Sequence, residues 1–298
     1  MDSVLVLIAP KEGEPLGGAI VAAVRDSLKQ QGASIEATRF LSPGRALEIP
    51  FSGAPRSQAE SAVRVLSGNR RLDCAVLPAL GRRKKLLIAD MDSTIVEGET
   101  LDELADFAGV KERVAAITAR AMNGEIVYRD SLRERVALLK GLGADALEKT
   151  FARARLNPGA KTLVATMRAN GAHALLVSSG FLYFTTRARE LAGFDADLGN
   201  DLEIADGKLT GRVIEPILDK EVKRRALHET ARRLGLALSE TLAVGDGAND
   251  LPMILDSGLG VAFRPKPAVA AEAPVVIRHA DLTALLYLQG YAEDEFVG

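Results

Sequence analysis

The sequence predicts an α/β protein: a parallel sheet with helices on both faces, an all-helical insert inside it, and a smaller βαββαβ unit ahead of it. Three observations carry that reading. Short apolar runs near residues 86–89, 173–178, 241–245, 259–263 and 275–278 alternate with helical patterns near 158–170, 181–192, 219–235 and 281–289. Such alternation argues a parallel sheet wrapped by crossover helices. Residues 99–156, between the first two runs, have helical periodicity and no strand signal. Residues 1–80 read as strand, helix, strand, strand, helix, strand.

Taken in order, Val4-Leu5-Val6-Leu7-Ile8 is a strand. Residues 16–31 are helical and stop before Gly32. Residues 34–40 alternate polar and apolar, like a half-buried strand. A weaker strand over 45–51 follows the Ser42-Pro43-Gly44 turn. Residues 55–66 are helical and end at Gly68, and 72–77 form a last strand. This order is that of a ferredoxin-like sandwich. It resembles the small ACT-like, amino-acid-binding domains that often precede metabolic enzymes. A stability or dimerisation module with no ligand fits the same pattern. The expected boundaries are 1–80 for this unit, 81–85 for a linker and 86–298 for the main body. The basic run Arg82-Arg83-Lys84-Lys85 reads as a solvated linker rather than a targeting signal.

Leu86-Leu87-Ile88-Ala89 opens the main sheet as a buried strand. The insert, with pieces near 100–108, 111–123, 129–140 and 144–154, follows directly and would sit over that strand's end as a cap. Asp206-Gly207, between Leu202-Glu203-Ile204 and Leu209-Thr210-Gly211, reads as a tight hairpin.

Open α/β sheets bind ligands at the carboxyl ends of their strands, and acids gather there in this chain. Asp90-Met91-Asp92-Ser93-Thr94 ends the first strand. Its two carboxylates, one residue apart, project to the same side. Such a pair could bind a hard cation and divide labour between nucleophile and proton carrier. Alone, it could equally be a turn with a helix cap. Leu175-Leu176-Val177-Ser178-Ser179-Gly180-Phe181 places a hydroxyl and small residues at a second strand end. Lys223 follows on a helix, and Leu242-Ala243-Val244-Gly245-Asp246-Gly247-Ala248-Asn249-Asp250 is a third strand ending in acids.

Asp, then Ser, then Lys, then Asp-x-x-x-Asp, in that order, resembles the four-motif signature of the haloacid dehalogenase superfamily, whose core is Rossmann-like. Glu99-Thr100, Ala121-Met122-Asn123-Gly124 and Ser131-Leu132-Arg133-Glu134-Arg135-Val136, with Gly245 to Asp250, narrow the likeness to the family of phosphoserine phosphatases. It runs from about residue 85 to about residue 288. The resemblance implies that Asp90 is the nucleophile, forming an aspartyl phosphate. Asp92 would protonate the leaving oxygen and activate water, which calls for a raised pKa. Mg²⁺ would be held by Asp90, Asp246 and the backbone carbonyl of Asp92. Ser178, with the N–H groups of Ser179 and Gly180, would hold phosphate, although Ser178 also suits a helix N-cap. The family often has glycine where Ser179 stands. Lys223 would pair with nucleophile and phosphate. Lys220, Arg224 and Arg225 share its helix, and only the motif order selects Lys223. Asp250 either orients water or Lys223, or is an acid at a helix N-terminus. In the insert, Glu99 would hold the substrate ammonium and Arg135 its carboxylate, while Glu97 stays exposed. Met122 and Tyr128 would form an apolar wall, though Met122 also suits ordinary helix packing and Tyr128 replaces the phenylalanine associated with that position. Asn249 resembles a position that contacts the site.

The expected activity is therefore Mg²⁺-dependent hydrolysis of phosphoserine, the last step of serine synthesis. A related phosphatase or phosphotransferase, acting on phosphothreonine or on a homoserine acceptor, is the nearest alternative. A non-catalytic amino-acid sensor is more remote, given the intact acid, serine and lysine set.

The bulk properties agree. The 298-residue chain is 47% hydrophobic with net charge −2 and pI near 6.0, so nothing suggests nucleic acid or an anionic membrane as partner. No stretch approaches the roughly 20 apolar residues of a membrane span, and the apolar start, preceded only by Asp2, is too short for a signal peptide. The single cysteine, Cys74, reads as a core residue and suits a reducing cytoplasm. None of the three histidines, His173, His228 and His279, has a metal partner at ligand spacing. The partner expected is a small molecule, with homodimerisation through the first unit.

Overall fold

The structure is a computed structural model that describes residues 2–67, 70–122, 125–218 and 220–298. The first unit comprises β1 (Ser3–Ile8), α1 (Gly18–Gln30), β2 (Ser34–Ile35), β3 (Arg39–Ser42), β4 (Ala46–Ser52), α2 (Arg56–Ser67) and β5 (Asp73–Pro78). Its strands lie in the order β2-β4-β1-β5, with β3 also on β4, all antiparallel. That is the ferredoxin-like order. The strand expected over 34–40 is two short pieces with a break at 36–38.

The unbroken apolar run of β1 has a physical cause: both faces of this sheet are covered. Leu5 and Leu7, with Leu47, Ile49 and Phe51 of β4, pack on Val24, Leu28, Ala59 and Val63 of the two helices. Val4, Val6 and Ile8 face the other way and join the core of the main body. Cys74 is half-buried on the helix side.

The main body continues with β6 (Leu86–Ala89), α3 (Thr100–Phe107), α4 (Lys111–Met122), α5 (Tyr128–Ala137), α6 (Asp145–Arg153), α7 (Ala160–Ala169), β7 (His173–Phe181), α8 (Leu182–Ala192), β8 (Ala196–Ala205), β9 (Lys208–Ile214), α9 (Lys220–Arg233), β10 (Thr241–Gly245), α10 (Leu251–Asp256), β11 (Leu259–Phe263), α11 (Pro267–Glu272), β12 (Val275–Ile277) and α12 (Ala284–Leu288). Seven strands form one sheet in the order β12-β11-β10-β6-β7-β8-β9. Only β9 runs antiparallel to its neighbour. The chain winds outward from β6 through β7 and β8, then returns to β10 on the other side. The winding reverses at β6, and such a switch point leaves a crevice at the strand ends. The helices α3 to α6 are the expected insert. The hairpin of β8 and β9 props it up: Gly141 and Ala144 donate backbone bonds to Leu209 and Gly207. Gly211 of β9 has φ 84°, and a side chain there would strike Lys140 in the turn after the insert's third helix.

The two sheets meet through buried charge. The Asp73 carboxylate, 3% exposed, accepts the N–H groups of Arg278, His279 and Ala280 at 2.8–3.0 Å. Arg82 is likewise no solvated tether. It donates to the Leu288 and Tyr287 carbonyls and to Glu48 of β4 at 2.6–3.1 Å. Arg83 lies over the Tyr291 ring at 4.0 Å. The basic run is thus an anchored segment, because α12 and the chain after it present carbonyls and an aromatic face to it.

Candidate active site

Three parallel strands deliver the site. The residue after β6 is Asp90, the residue after β10 is Asp246, and the end of β7 carries Ser178. Register pairs Ala89 with Val244 on one side and Leu176 on the other, so the three strand ends lie level. Asp90 is 6% exposed, and its Oδ1 lies 2.5 Å from Lys223 Nζ. Lys223, 1% exposed, projects from α9 and also bonds Asp250, which is fully buried. The other oxygen of Asp250 accepts the N–H groups of Asp246 and Gly247 at 3.2 and 3.0 Å. Asp250 therefore turns its carboxylate back onto the loop and the lysine rather than capping α10. A Cβ on Gly245 would collide with that carboxyl group.

Asp92 is held from two directions. Its Oδ1 accepts the Thr100 N–H at 2.8 Å, one of the donors that the first turn of α3 leaves free. Its Oδ2 lies 3.2 Å from Ser178 Oγ, which in turn accepts the Gly180 N–H at 2.8 Å. Ser93, at φ 58°, turns the chain so that Thr94 Oγ1 approaches Asp246 Oδ1 at 3.4 Å.

Burial and mutual repulsion set the electrostatics. Burial first, then Asp250, pushes the Asp90 carboxyl well above the usual range. Burial also raises Asp92. Asp246 rises to about 6 through burial and the nearby Asp250. Burial alone would lower Lys223, but Asp250 and Asp90 outweigh it and hold the ammonium charged. One ligand atom from each of Asp90, Asp246 and Asp250 lies within 4.8 Å of the others. Both oxygens of Asp250 are already engaged. Asp90 and Asp246 are thus the carboxylates with capacity left, a donor set suited to a hard cation that keeps several waters.

The insert closes a cavity of about 340 Å³ over this cluster. Asp90, Asp92, Ser178, Ser179, Gly180, Asp246 and Asn249 line its floor, and Glu99, Tyr128 and Arg135 its cap side. Glu99 sits partly in solvent, yet burial of its carboxyl and the neighbouring Asp92 raise it to about 7. Ser93 Oγ bonds it at 2.9 Å. Arg135 is half-buried on α5, and burial lowers its pKa. Tyr128 donates to the Ser179 carbonyl at 2.7 Å, so its hydroxyl ties cap to core where an apolar wall was expected. The side chain of Met122 lies outside the described residues. Glu97 is exposed.

Lys266 and Asn200 escaped the sequence reading, and Thr100 and Ser131 entered it only as motif members with no role assigned. Lys266 follows β11 and lines the cavity; its place at a parallel strand's carboxyl end was a usable signal. Asn200 of β8 donates to the Ser179 carbonyl at 2.7 Å and accepts the Leu218 N–H. No local pattern announces that contact.

Known proteins resemble this chain in sequence and fold. A family model described as haloacid dehalogenase-like hydrolase matches residues 87–255. The phosphoserine phosphatase of Streptomyces coelicolor is 39% identical over 287 residues, 95% of this chain and 70% of its own length. That of Polaromonas sp. is 48% identical over 210 residues, 68% of this chain and 89% of its own. The crystal structure of a probable phosphoserine phosphatase from Vibrio cholerae has a TM-score of 0.79 at 32% identity, covering 99% of this chain and 88% of that one. The likeness thus takes in the N-terminal unit, beyond the segment 85–288 expected from motifs.

Proposed function

The chain belongs to the haloacid dehalogenase-like hydrolases, and from that premise we propose that it hydrolyses O-phosphoserine to serine and phosphate as the closing step of serine synthesis. The observation that carries this is one cavity with two ends. Asp90, Asp92, Ser178 and Lys223 meet at the floor, while Glu99 and Arg135, of opposite charge, face it from the cap side. Phosphoserine has a phosphate at one end and an ammonium and carboxylate at the other, and the two sets match it in kind.

Asp90 attacks phosphorus, and the bond from phosphorus to the serine oxygen breaks. Asp92, whose carboxyl burial raises, gives a proton to that oxygen. It then takes a proton from water, which attacks the aspartyl phosphate and restores Asp90. Its hydrogen bonds from Thr100 and Ser178 keep it in place through both steps. Lys223 holds Asp90 in position and neutralises phosphate charge, and Asp250 steadies Lys223. The N–H groups of Ser179 and Gly180 donate to phosphate oxygens, that of Gly180 by leaving Ser178 Oγ, and Asn249 supports the substrate from the cavity floor. Glu99 binds the ammonium, and Arg135 the carboxylate. Tyr128 keeps water out from the cap side. Mg²⁺, held by Asp90, Asp246 and the Asp92 carbonyl, would supply charge neutralisation on the phosphate.

Among the described residues no helix is long and apolar enough to cross a membrane, and with one cysteine in the chain a reducing cytoplasm is the proposed setting. The N-terminal unit, residues 1–80, serves in this reading as a regulatory or dimerising domain of ACT-like type. Its ferredoxin-like strand order supports that. Release of phosphate from phosphoserine, phosphothreonine, phosphoglycolate, sugar phosphates and nucleotides, with Mg²⁺ and with chelator, tests the proposal. Phosphoserine should lead by tenfold or more, about 1.4 kcal/mol of barrier, and chelation should stop turnover. Comparable rates across the panel would defeat the substrate assignment.

A further inference from the structure

Tyr128, Ser131, Leu132 and Arg135 of α5 line the cavity. Their spacing puts them on one helix face. Three of them have visible employment. Tyr128 bonds the Ser179 carbonyl, Leu132 belongs to the core, and Arg135 offers a guanidinium to the cavity. Ser131 stands apart: it is 0% exposed, and its Oγ has no hydrogen-bond partner among the described residues. A buried hydroxyl left unpaired costs stability. A helical serine usually relieves that cost by bonding the carbonyl one turn back. Here the Val127 carbonyl accepts the Ser131 backbone N–H, and the hydroxyl stays free. The Ser131 carbonyl receives Arg135 Nε at 3.3 Å, which ties the two residues together.

We propose that the Ser131 hydroxyl determines specificity by donating a hydrogen bond to the substrate carboxylate, beside the Arg135 guanidinium. This rests on the phosphoserine reading and adds a residue to it. The direction follows from charge. A hydroxyl one turn from a guanidinium faces the anion which that guanidinium attracts, whereas an ammonium there would be repelled. The phosphate is accounted for at the strand ends, and the ammonium by Glu99. The carboxylate is the group left to fill the unpaired site.

Ser131→Ala tests this in the full chain. Alanine favours the helix and removes the unpaired group, so the melting temperature should hold or rise, confirming the fold. KM for phosphoserine should rise about tenfold or more, as for a lost hydrogen bond to a charged group, with kcat nearly unchanged. O-phosphoethanolamine has the same phosphate and ammonium but no carboxylate, and its kcat/KM should not move. Inhibition by L-serine should weaken in step with KM, while inhibition by inorganic phosphate stays constant. An equal change on both esters, or none on phosphoserine, overturns the role of Ser131. Wild-type protein that fails to hydrolyse phosphoserine overturns the function itself, and this inference with it.

Discussion

Asp73 at the junction of the two sheets and Asp90 in the active site are both buried acids, yet their surroundings differ in kind. Asp73 receives three backbone N–H groups and is satisfied where it sits. Asp90 has one lysine partner and shares its space with Asp92 and Asp250, so its carboxyl is pushed upward. Burial by itself therefore does not mark function. The mark is like charge crowded around a gap, a state that folding alone would avoid and that a bound cation would relieve.

If that contrast is right, damage to the two acids should separate activity from stability. The largest effect is expected at Asp90. Asp90→Asn should lower turnover by on the order of 10³-fold or more, while the melting temperature holds or rises because a crowded charge has gone. Turnover within tenfold of wild type would remove Asp90 from the chemistry. Asp73→Ala should do the reverse. Three donors lose their acceptor, so urea unfolding should report about 2–4 kcal/mol less stability, with kcat/KM of the folded protein unchanged. Unaltered stability would mean that water replaces the carboxylate and that the junction is held by apolar contact alone.

The smallest effect concerns Glu99, whose carboxyl stays protonated up to about pH 7. It must lose that proton to hold an ammonium. In the free protein kcat/KM for phosphoserine should therefore climb as pH rises through about 7. Glu99→Gln should flatten this limb of the profile. A climb that survives the substitution belongs to another group, and Asp246 is the next to examine.

The same contrast explains what could be read in the chain. Asp90, Asp92, Asp246 and Ser178 were legible because parallel strands are apolar runs and ligand residues sit at their ends. The four helices of the insert were legible from their period. The lock at Asp73 and Arg82 was not: its partners lie about 205 positions away in sequence, and a satisfied carboxylate leaves no local pattern. The first half of β8, Ala196 to Asn200, went unread for want of β-branched residues. The helices α10 and α11, six residues each, are too short to show a period. Proline in the first turn of both was their available signal. Lys266 was overlooked because it stands alone, with no second acid or hydroxyl to draw attention to it.

Tyr128 has a consequence beyond closing the cavity. A peptide unit is flat and trans, so its C=O and the next N–H point in opposite directions. Tyr128 from the cap and Asn200 from β8 both pull on the Ser179 carbonyl. Together they fix that peptide plane and aim the Gly180 N–H the other way, toward Ser178 Oγ and the floor of the cavity. Lifting the cap removes one of the two donors and leaves Asn200 to hold the plane by itself. The orientation of the Gly180 N–H in the core is thereby coupled to the position of a helix in the cap, through a single phenolic hydroxyl.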